Sequence, residues 1–572
     1  MDIEIKNKQN GKKEKLIYVK KVYDRINFKD WEADLLMLKK RFLSWTALGV
    51  CSALLLGACG NSENGGVQPG SQAQEPQNAS SAERGNQSKG TDASGNGEES
   101  TAVVDWEDMA EIELFYFTFV SPKDVQHVED AINTITEEKI NTHVNITVMD
   151  VNSYIQQIGI MMAGNEQIDL MLTAFSSASY SAMMAQNQLM DISEYVDTYG
   201  PDITSTLGDM LKATTVGDGV YGVPCYRNVI SSNYVFMRED VLEDLGLLEK
   251  ARNMTSFEEF EEILQAVKNS EKWNYLQPYM YQSGSGPMQP NANVSGAFAD
   301  ADVFDTLGDT LGIVRLDKNG KVTLNMESDS YQQAAAMVRG WNEKGLSYFD
   351  MSGSGGSCED YIKSDAVFSF ISTAEFGAEN AKSVAAGMPM VAVKLYDGEV
   401  NSEACTKFAY CVPTTSKEPE AAIAFLNLAI TDPQINNLMA WGVEGVDYEV
   451  VDGVAQYIKG NEEPDYHLFD YSVPNQFLVY PWSGDPADFR EQSEADLKAA
   501  PVSDYLGFSC DLTAFVNETA AVSNVIEEYR DQIGSGQASE AVLQEYIDKL
   551  HSVNVQVILD EYQKQLDAWL TQ

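Results

Sequence analysis

Histidine is scarce in this 572-residue chain, with four copies at His127, His143, His467 and His551. They form no HExxH pattern and no His/Cys cluster at ligand spacing, which sets aside zinc hydrolases and histidine-based serine triads. Positive charge is scarce as well: 39 Lys and Arg stand against 87 Asp and Glu, a formal net charge of −48. Binding a polyphosphate relies on basic patches, so nucleic acid is excluded as a partner. Acidity on this scale keeps a chain soluble and self-repelling. The apolar run from Phe42 to Leu56 holds 15 residues, fewer than the ~20 that a membrane-spanning helix needs. No internal repeat is evident.

What is present begins with Lys39, Lys40 and Arg41, that apolar run, and then Leu56-Gly57-Ala58-Cys59. Charged, then greasy, then small is the pattern of a secretory signal peptide. The four residues resemble the lipobox of bacterial lipoproteins, which implies a diacylglyceryl group on the Cys59 thiol and cleavage that leaves Cys59 as the new N-terminus. Leu48-Gly49-Val50-Cys51 has a similar outline, but Val50 suits a cleavage site poorly and the apolar run would be halved. Residues 37–58 are therefore expected to be the signal peptide. Residues 1–36, a long mixed-charge leader, are expected to reflect a mis-assigned start upstream of Met37. Residues 59–105 read as a tether, since Gly60 to Thr101 is Gly, Ser, Asn, Gln, Glu and Ala with hardly a large apolar side chain. Such a stretch cannot offset the entropy of ordering, and a coil of about 45 residues spans roughly 35 to 40 Å. The expected location is the extracellular face of a Gram-positive cell membrane, held there by lipid.

Cleavage before Cys59 removes 12 basic and 7 acidic residues and takes the formal charge from −48 to −53. The remaining cysteines are Cys225, Cys358, Cys405, Cys411 and Cys510, an odd set without CxxC spacing. For an exported chain this argues against a disulfide framework, with a Cys405–Cys411 pair left open.

From Trp106 onward the chain is long enough for two or three domains. Ile112 to Phe117 reads as a strand, Val125 to Ile140 as a helix and Val144 to Val148 as a strand. A helix around Tyr154 to Ala163 and a short strand, Ile168 to Thr173, follow. Alternation of this kind predicts a mostly parallel sheet covered on both faces. Ligands bind such sheets beyond the carboxyl ends of the strands, so the loops 118–122 and 174–179 matter most.

Three motifs in order, Ile168-Asp169-Leu170-Met171-Leu172-Thr173-Ala174, Asn187-Gln188-Leu189-Met190-Asp191-Ile192 and Val220-Tyr221-Gly222-Val223-Pro224, are similar to extracellular solute-binding proteins of ABC importers. Asn233 to Leu242, Leu245-Gly246-Leu247 and the capped helix at Thr255-Ser256-Phe257-Glu258-Glu259-Phe260 extend the likeness. Gly442 to Tyr448 and the tail Gln565 to Leu570 resemble the LipO-type lipoproteins, a subgroup with a helical C-terminal region at about 437–570. The resemblance implies an α/β fold of two lobes, the type II periplasmic-binding-protein-like arrangement, with solute held between them. It places crossings near Pro224–Val229, near Ala409–Pro413 and after Trp441. Lobe 1 is then 106–225 with 410–441, and lobe 2 is 230–408 with 445–572. Ser416 is expected to cap the helix that buries Phe425, Leu426 and Ile430. The implied partners are a small solute and a pair of ABC permease subunits, and the protein is expected to act as a monomer without cofactor or metal.

A sugar offers flat C–H faces that stack on rings, and hydroxyls that take short polar or charged side chains. Tyr116 and Phe117 close the first strand; Phe175 and Ser176 follow the third. Tyr226, Arg227 and Asn228 sit at the first crossing, and Trp441 and Glu444 sit where the family crosses again. Trp482 and Phe508 lie in turn-rich segments. Most of the 22 Phe, 27 Tyr and 8 Trp must be core, and Tyr226, Arg227 and Trp441 are the foremost candidates. Asp317-Lys318-Asn319-Gly320 lacks the oxygen ligands of an EF-hand and reads as a hairpin turn. Ser285 and Ser354 lack the G-x-S-x-G elbow. The rival reading is a lipid-anchored glycoside hydrolase, which needs two carboxylates facing one bond. The reading adopted is a non-enzymatic receptor for a carbohydrate, an oligosaccharide above all, with a peptide as the non-sugar alternative.

Overall fold

In the computed structural model the described residues are 104, 106–119, 121–281, 305–317, 319–349, 356–396 and 398–571. The signal peptide, Cys59, the tether, Ser285 and Ser354 lie outside them. Strand β1 (Ala110–Thr118) is apolar along most of its length because it is covered on both faces, as a central strand of a parallel sheet must be. Helix α1 (Gln126–Ile140), β2 (Thr142–Asp150), α2 (Val151–Ala163) and β3 (Leu170–Leu172) follow, with β1 parallel to both β2 and β3. At the β2 edge, the Asn133 side chain of α1 exchanges two hydrogen bonds with the Val144 backbone, and Glu129 accepts the Ile146 N–H. That edge is thereby closed to a further strand.

The chain adds β4 (Val223–Pro224) to this sheet, crosses through residues 225–231, and starts a second sheet at β5 (Ser232–Arg238). Helix α3 (Phe257–Asn269) has Ser256 as its cap, accepting from the Glu259 N–H, while the Glu259 carboxylate takes the Thr255 N–H. After β6 (Gln277–Tyr281) come the antiparallel hairpin of β7 (Val314–Leu316) and β8 (Val322–Leu324), with Asn319-Gly320 in its turn as expected. Helix α4 (Asp329–Glu343), β9 (Ser347–Phe349), β10 (Val367–Ala374), α5 (Ala378–Ala386) and β11 (Met390–Tyr396) complete the lobe. Its strand order is β9-β6-β10-β5-β11.

The second crossing carries α6 (Ser402–Thr406) and returns the chain to the first sheet at β12 (Ala409–Cys411), giving the order β2-β1-β3-β12-β4. Helices α7 (Pro419–Ala429) and α8 (Pro433–Trp441) follow. Ser416 does not cap α7. Its hydroxyl donates to Asp169 Oδ1 at 2.8 Å, and the same oxygen accepts the N–H groups of Lys417 at 2.8 Å and Glu418 at 3.1 Å. A buried carboxylate is the stronger acceptor, so Asp169, just ahead of β3, does the work expected of the hydroxyl.

The segment 445–506 also differs from expectation. Tyr448, Ala455, Tyr466, Leu468, Val479 and Leu497 belong to the core of the first sheet, whereas the resemblance assigned everything from 445 onward to the second lobe. Asn475 fastens this segment to the α7–α8 corner, donating to Ile430 O while its own N–H reaches Asn436 Oδ1. It holds the small hairpin β13 (Glu449–Val451) with β14 (Val454–Gln456), and α9 (Phe489–Ala499). The third crossing comes later and runs beside the second: Val400 N–H meets Pro501 O and Ser503 N–H meets Val400 O, both at 2.9 Å.

Helices α10 (Val516–Gly534), α11 (Glu540–Ser552) and α12 (Val555–Trp569) form the C-terminal region, packed with the β7–β8 hairpin and with Ala335 of α4. Gly536, at φ +77°, turns α10 into α11 so close to α4 that a Cβ there would lie 2.1 Å from Val338 O; only glycine fits. All five described cysteines are free, so Cys405 and Cys411 do not pair. Among the described residues no helix is long and apolar enough to cross a membrane.

Candidate functional site

The carboxyl ends of β1 and β3 meet the crossings at a group of aromatic rings. Phe117, fully buried at the end of β1, has the ring centres of Phe119, Phe175, Phe408 and Phe469 within 5.8 to 6.0 Å. Phe469 stacks on Tyr471 at 4.2 Å with 16° between the planes, and Tyr471 reaches Phe408 at 5.2 Å. Two of these rings face outward: Phe119 is 51% exposed and Phe175 36%. Arg227, from the first crossing, lies over Phe408, from the second, and pairs with Glu375 Oε1 at 3.2 Å, which follows β10 of the other lobe.

A cavity of about 530 Å³ is lined by Phe119, Phe469 and Tyr471 together with Lys123, Tyr457 and His467. A second, of about 520 Å³, is lined by Phe175, Ser176, Tyr180, Lys407, Phe508 and Tyr562. The aromatic group thus contributes rings to both. Each volume falls in the range of about 300 to 1,000 Å³ usual for small-molecule sites. Burial pushes the Glu403 carboxyl, in the second cavity, above its ordinary value, with Lys407 opposing. Burial lowers His467 to about 4, so its ring is neutral near pH 7, and its Nδ1 has no hydrogen-bond partner among the described residues.

Of the residues singled out in the sequence, Phe175, Ser176 and Phe508 line the second cavity. Phe117 lies beneath the aromatic group. Tyr116 points to the opposite face of the sheet, as strand alternation requires, and its hydroxyl meets that of Tyr466 at 2.8 Å in the core. Tyr226 and Asn228 tie the first crossing to α9: the Tyr226 hydroxyl donates to Glu494, and the Asn228 amide to Asp496 and Ser493 O. Trp441 stacks on His467 at 5.0 Å and, with Trp482, backs the first cavity through His467 and Tyr457. Glu444 is exposed on a turn. Phe119, Phe408, Phe469, Tyr471 and Lys407 escaped the sequence reading. Phe119 lies in the 118–122 loop that the strand pattern marks as important, and Phe408 directly precedes a recognised crossing; Phe469 and Tyr471 lie in irregular chain without such a signal.

Exposed rings beside hydroxyls and paired charges, with no group of His, Cys, Asp or Glu placed to hold a metal among the described residues, suit capture of a polar solute. The profile of the bacterial extracellular solute-binding proteins matches residues 130–452. The chain belongs to that family. This binding protein also matches, over residues 504–571, a domain of unknown function that coincides with the third crossing and the C-terminal helices. It is 24% identical over 451 residues to a carbohydrate ABC transporter substrate-binding protein of Streptococcus pneumoniae serotype 4, covering 77% of this chain and 87% of that one. Among solved structures it is similar to NgtS, the N-glycan transport solute binding protein of Streptococcus pneumoniae, at 21% identity and a TM-score of 0.68, covering 81% of this chain and 99% of that one. A solute binding protein of Bifidobacterium longum infantis, described as HMO-binding and ABC-transporter-associated, gives 16% identity, a TM-score of 0.57, and coverage of 80% and 99%. The fold is therefore the two-lobed type II arrangement with a helical C-terminal region. The named relatives of this binding protein are receptors and not enzymes, which sets aside the hydrolase reading.

Proposed function

We propose that this protein captures an oligosaccharide between its lobes and delivers it to the permease of an ABC importer. The observation that carries this reading is the aromatic group at the crossings, which offers rings to two cavities at once and so suits a solute of several sugar units. The relatives named for carbohydrate, N-glycan and HMO support the same class. Phe175, Ser176 and Phe508 are the sequence candidates best placed to touch solute, with Phe117, Arg227, Trp441 and Trp482 supporting the rings that do. Cys59 is the lipid-bearing residue of the proposal, and residues 59–105 the leash that keeps a monomeric receptor concentrated above its permease.

A ligand that binds only the folded state raises the melting temperature by mass action. A thermal-shift panel of oligosaccharides, amino acids and peptides is expected to respond to oligosaccharides alone. Silence across the sugars with a response to peptides overturns the proposal. In the producing cell, Cys59→Ala is expected to abolish incorporation of labelled fatty acid while leaving solute binding intact.

A further inference from the structure

Three of the cations around the aromatic group, Arg227, Lys123 and Arg490, are paired with carboxylates within the protein. Arg227, 3% exposed, is held by Glu375 and by the Asn228 carbonyl at 3.0 Å. Lys123 donates to Glu463 O at 2.8 Å and lies 3.7 Å from Asp465. Arg490, buried beneath the Phe489 ring, donates to Asp470 and to Val479 O. Lys407, exposed at the rim of the second cavity, has Glu403 one helical turn away in the same lining. At the two cavities, then, Lys123 is paired with Asp465 and Lys407 has the Glu403 carboxylate near enough to feel its charge, while Glu462 adds a negative charge at the first. A sugar hydroxyl can donate to these carboxylates or accept from these cations without disturbing the pairs. A sugar carboxylate must displace a protein carboxylate or lie beside one, and like charges placed together repel. The formal charge of the whole chain, −48, adds long-range repulsion against any anion.

We infer that the cleft accepts uncharged oligosaccharides and refuses those bearing carboxylates, with the Arg227–Glu375 pair as the selecting element, an inference that rests on the oligosaccharide reading above. The selection lies in Glu375: the Arg227 side chain is buried and that of Glu375 half exposed, so an arriving sugar meets the carboxylate of the pair first.

Isothermal titration calorimetry on the complete chain with matched pairs tests this: lacto-N-tetraose with and without sialic acid, a biantennary N-glycan with and without its sialic acids, and xylotetraose with and without a glucuronic acid branch. In every pair whose neutral member binds, the acidic member is expected to bind at least about thirtyfold more weakly, a ratio that 2 kcal/mol supplies. Glu375→Gln is expected to narrow that ratio about tenfold by freeing Arg227, and Lys407→Gln to widen it. Because the readout is a ratio within one protein, a general loss of affinity in either variant cancels. Neutral and acidic members binding within threefold of each other overturns the selectivity and leaves the oligosaccharide reading standing. A ratio unmoved in Glu375→Gln overturns the role of the pair. If no neutral member of any pair binds, both the selectivity and the reading beneath it fall.

Discussion

The guanidinium carbon of Arg227 sits 5.2 Å from the centre of the Phe408 ring, joining two crossing segments face to face. The same side chain reaches Glu375 of the second lobe, so one residue connects both crossings with that lobe. Lysine keeps the charge but loses the planar fork and the flat stacking surface, and a desolvated cation–π contact is worth about 1 to 2 kcal/mol. Arg227→Lys is expected to weaken oligosaccharide binding about tenfold and to lower unfolding stability by about 1 kcal/mol. Calorimetry and urea denaturation measure the two effects; unchanged affinity would remove Arg227 from the site.

Tyr471 is half-buried, stacked on Phe469 and lining the first cavity. Its loss removes a ring face that a sugar would cover, without opening a core void of the kind left by a fully buried side chain. Tyr471→Ala is expected to raise Kd about thirtyfold, roughly 2 kcal/mol, with a melting temperature close to that of the parent. A large fall in melting temperature with unchanged Kd would make the ring structural.

Much of the first lobe was legible because its elements are long and regular in pattern: α1, β2 and α2 each show the period of the element they form, and β1 is an apolar run of strand length. The family motifs carried the two-lobed fold. What stayed hidden depended on contacts between distant segments. Nothing in Tyr448 to Leu497 says which of two cores it joins, since either lobe could bury those side chains; Asn475 decides it from 39 residues past Asn436. For the same reason Trp441 and Tyr226 were good aromatic candidates by position yet point into packing. Phe469 and Tyr471 were ordinary aromatics until the fold brought the one against Phe117 and the other against Phe408.

Asp169 connects β3, β1 and the start of α7 through one carboxylate. Oδ2 accepts the Glu113 N–H at 3.0 Å and the Gln167 amide at 2.8 Å, while Oδ1 takes Ser416, Lys417 and Glu418. Removing it leaves several donors unsatisfied, each costing about 1 to 3 kcal/mol when buried. Asp169→Ala is expected to destabilise the protein by about 3 kcal/mol or more in chemical denaturation, the largest loss among these substitutions. Asp169→Asn keeps one acceptor and is expected to recover part of it. A loss below about 1 kcal/mol for the alanine variant would show that water replaces the carboxylate.

Glu399 lies in the second crossing, where burial, reinforced by the nearby carboxylates of Asp305 and Asp504, raises its carboxyl from an ordinary 4.5 to about 7. Below pH 4.5 both folded and unfolded chains hold the proton, and the group exerts no pH-dependent cost. Between 4.5 and 7 the unfolded chain releases a proton that the folded chain retains, so stability falls as pH rises; above 7 the loss is complete. Glu399→Gln removes this dependence. Its stability relative to the parent is expected to grow from near zero at pH 4.5 to about 2 kcal/mol at pH 8, within the limit of ~1.4 kcal/mol for each tenfold change in proton affinity. His467, lowered by burial to about 4, acts in the other direction, because the unfolded ring takes up a proton between pH 6.5 and 4 that the folded ring refuses. That contribution is common to parent and variant and cancels in their difference. Urea denaturation of both proteins at the two pH values therefore isolates Glu399, and a difference that does not change with pH would place its carboxyl in water.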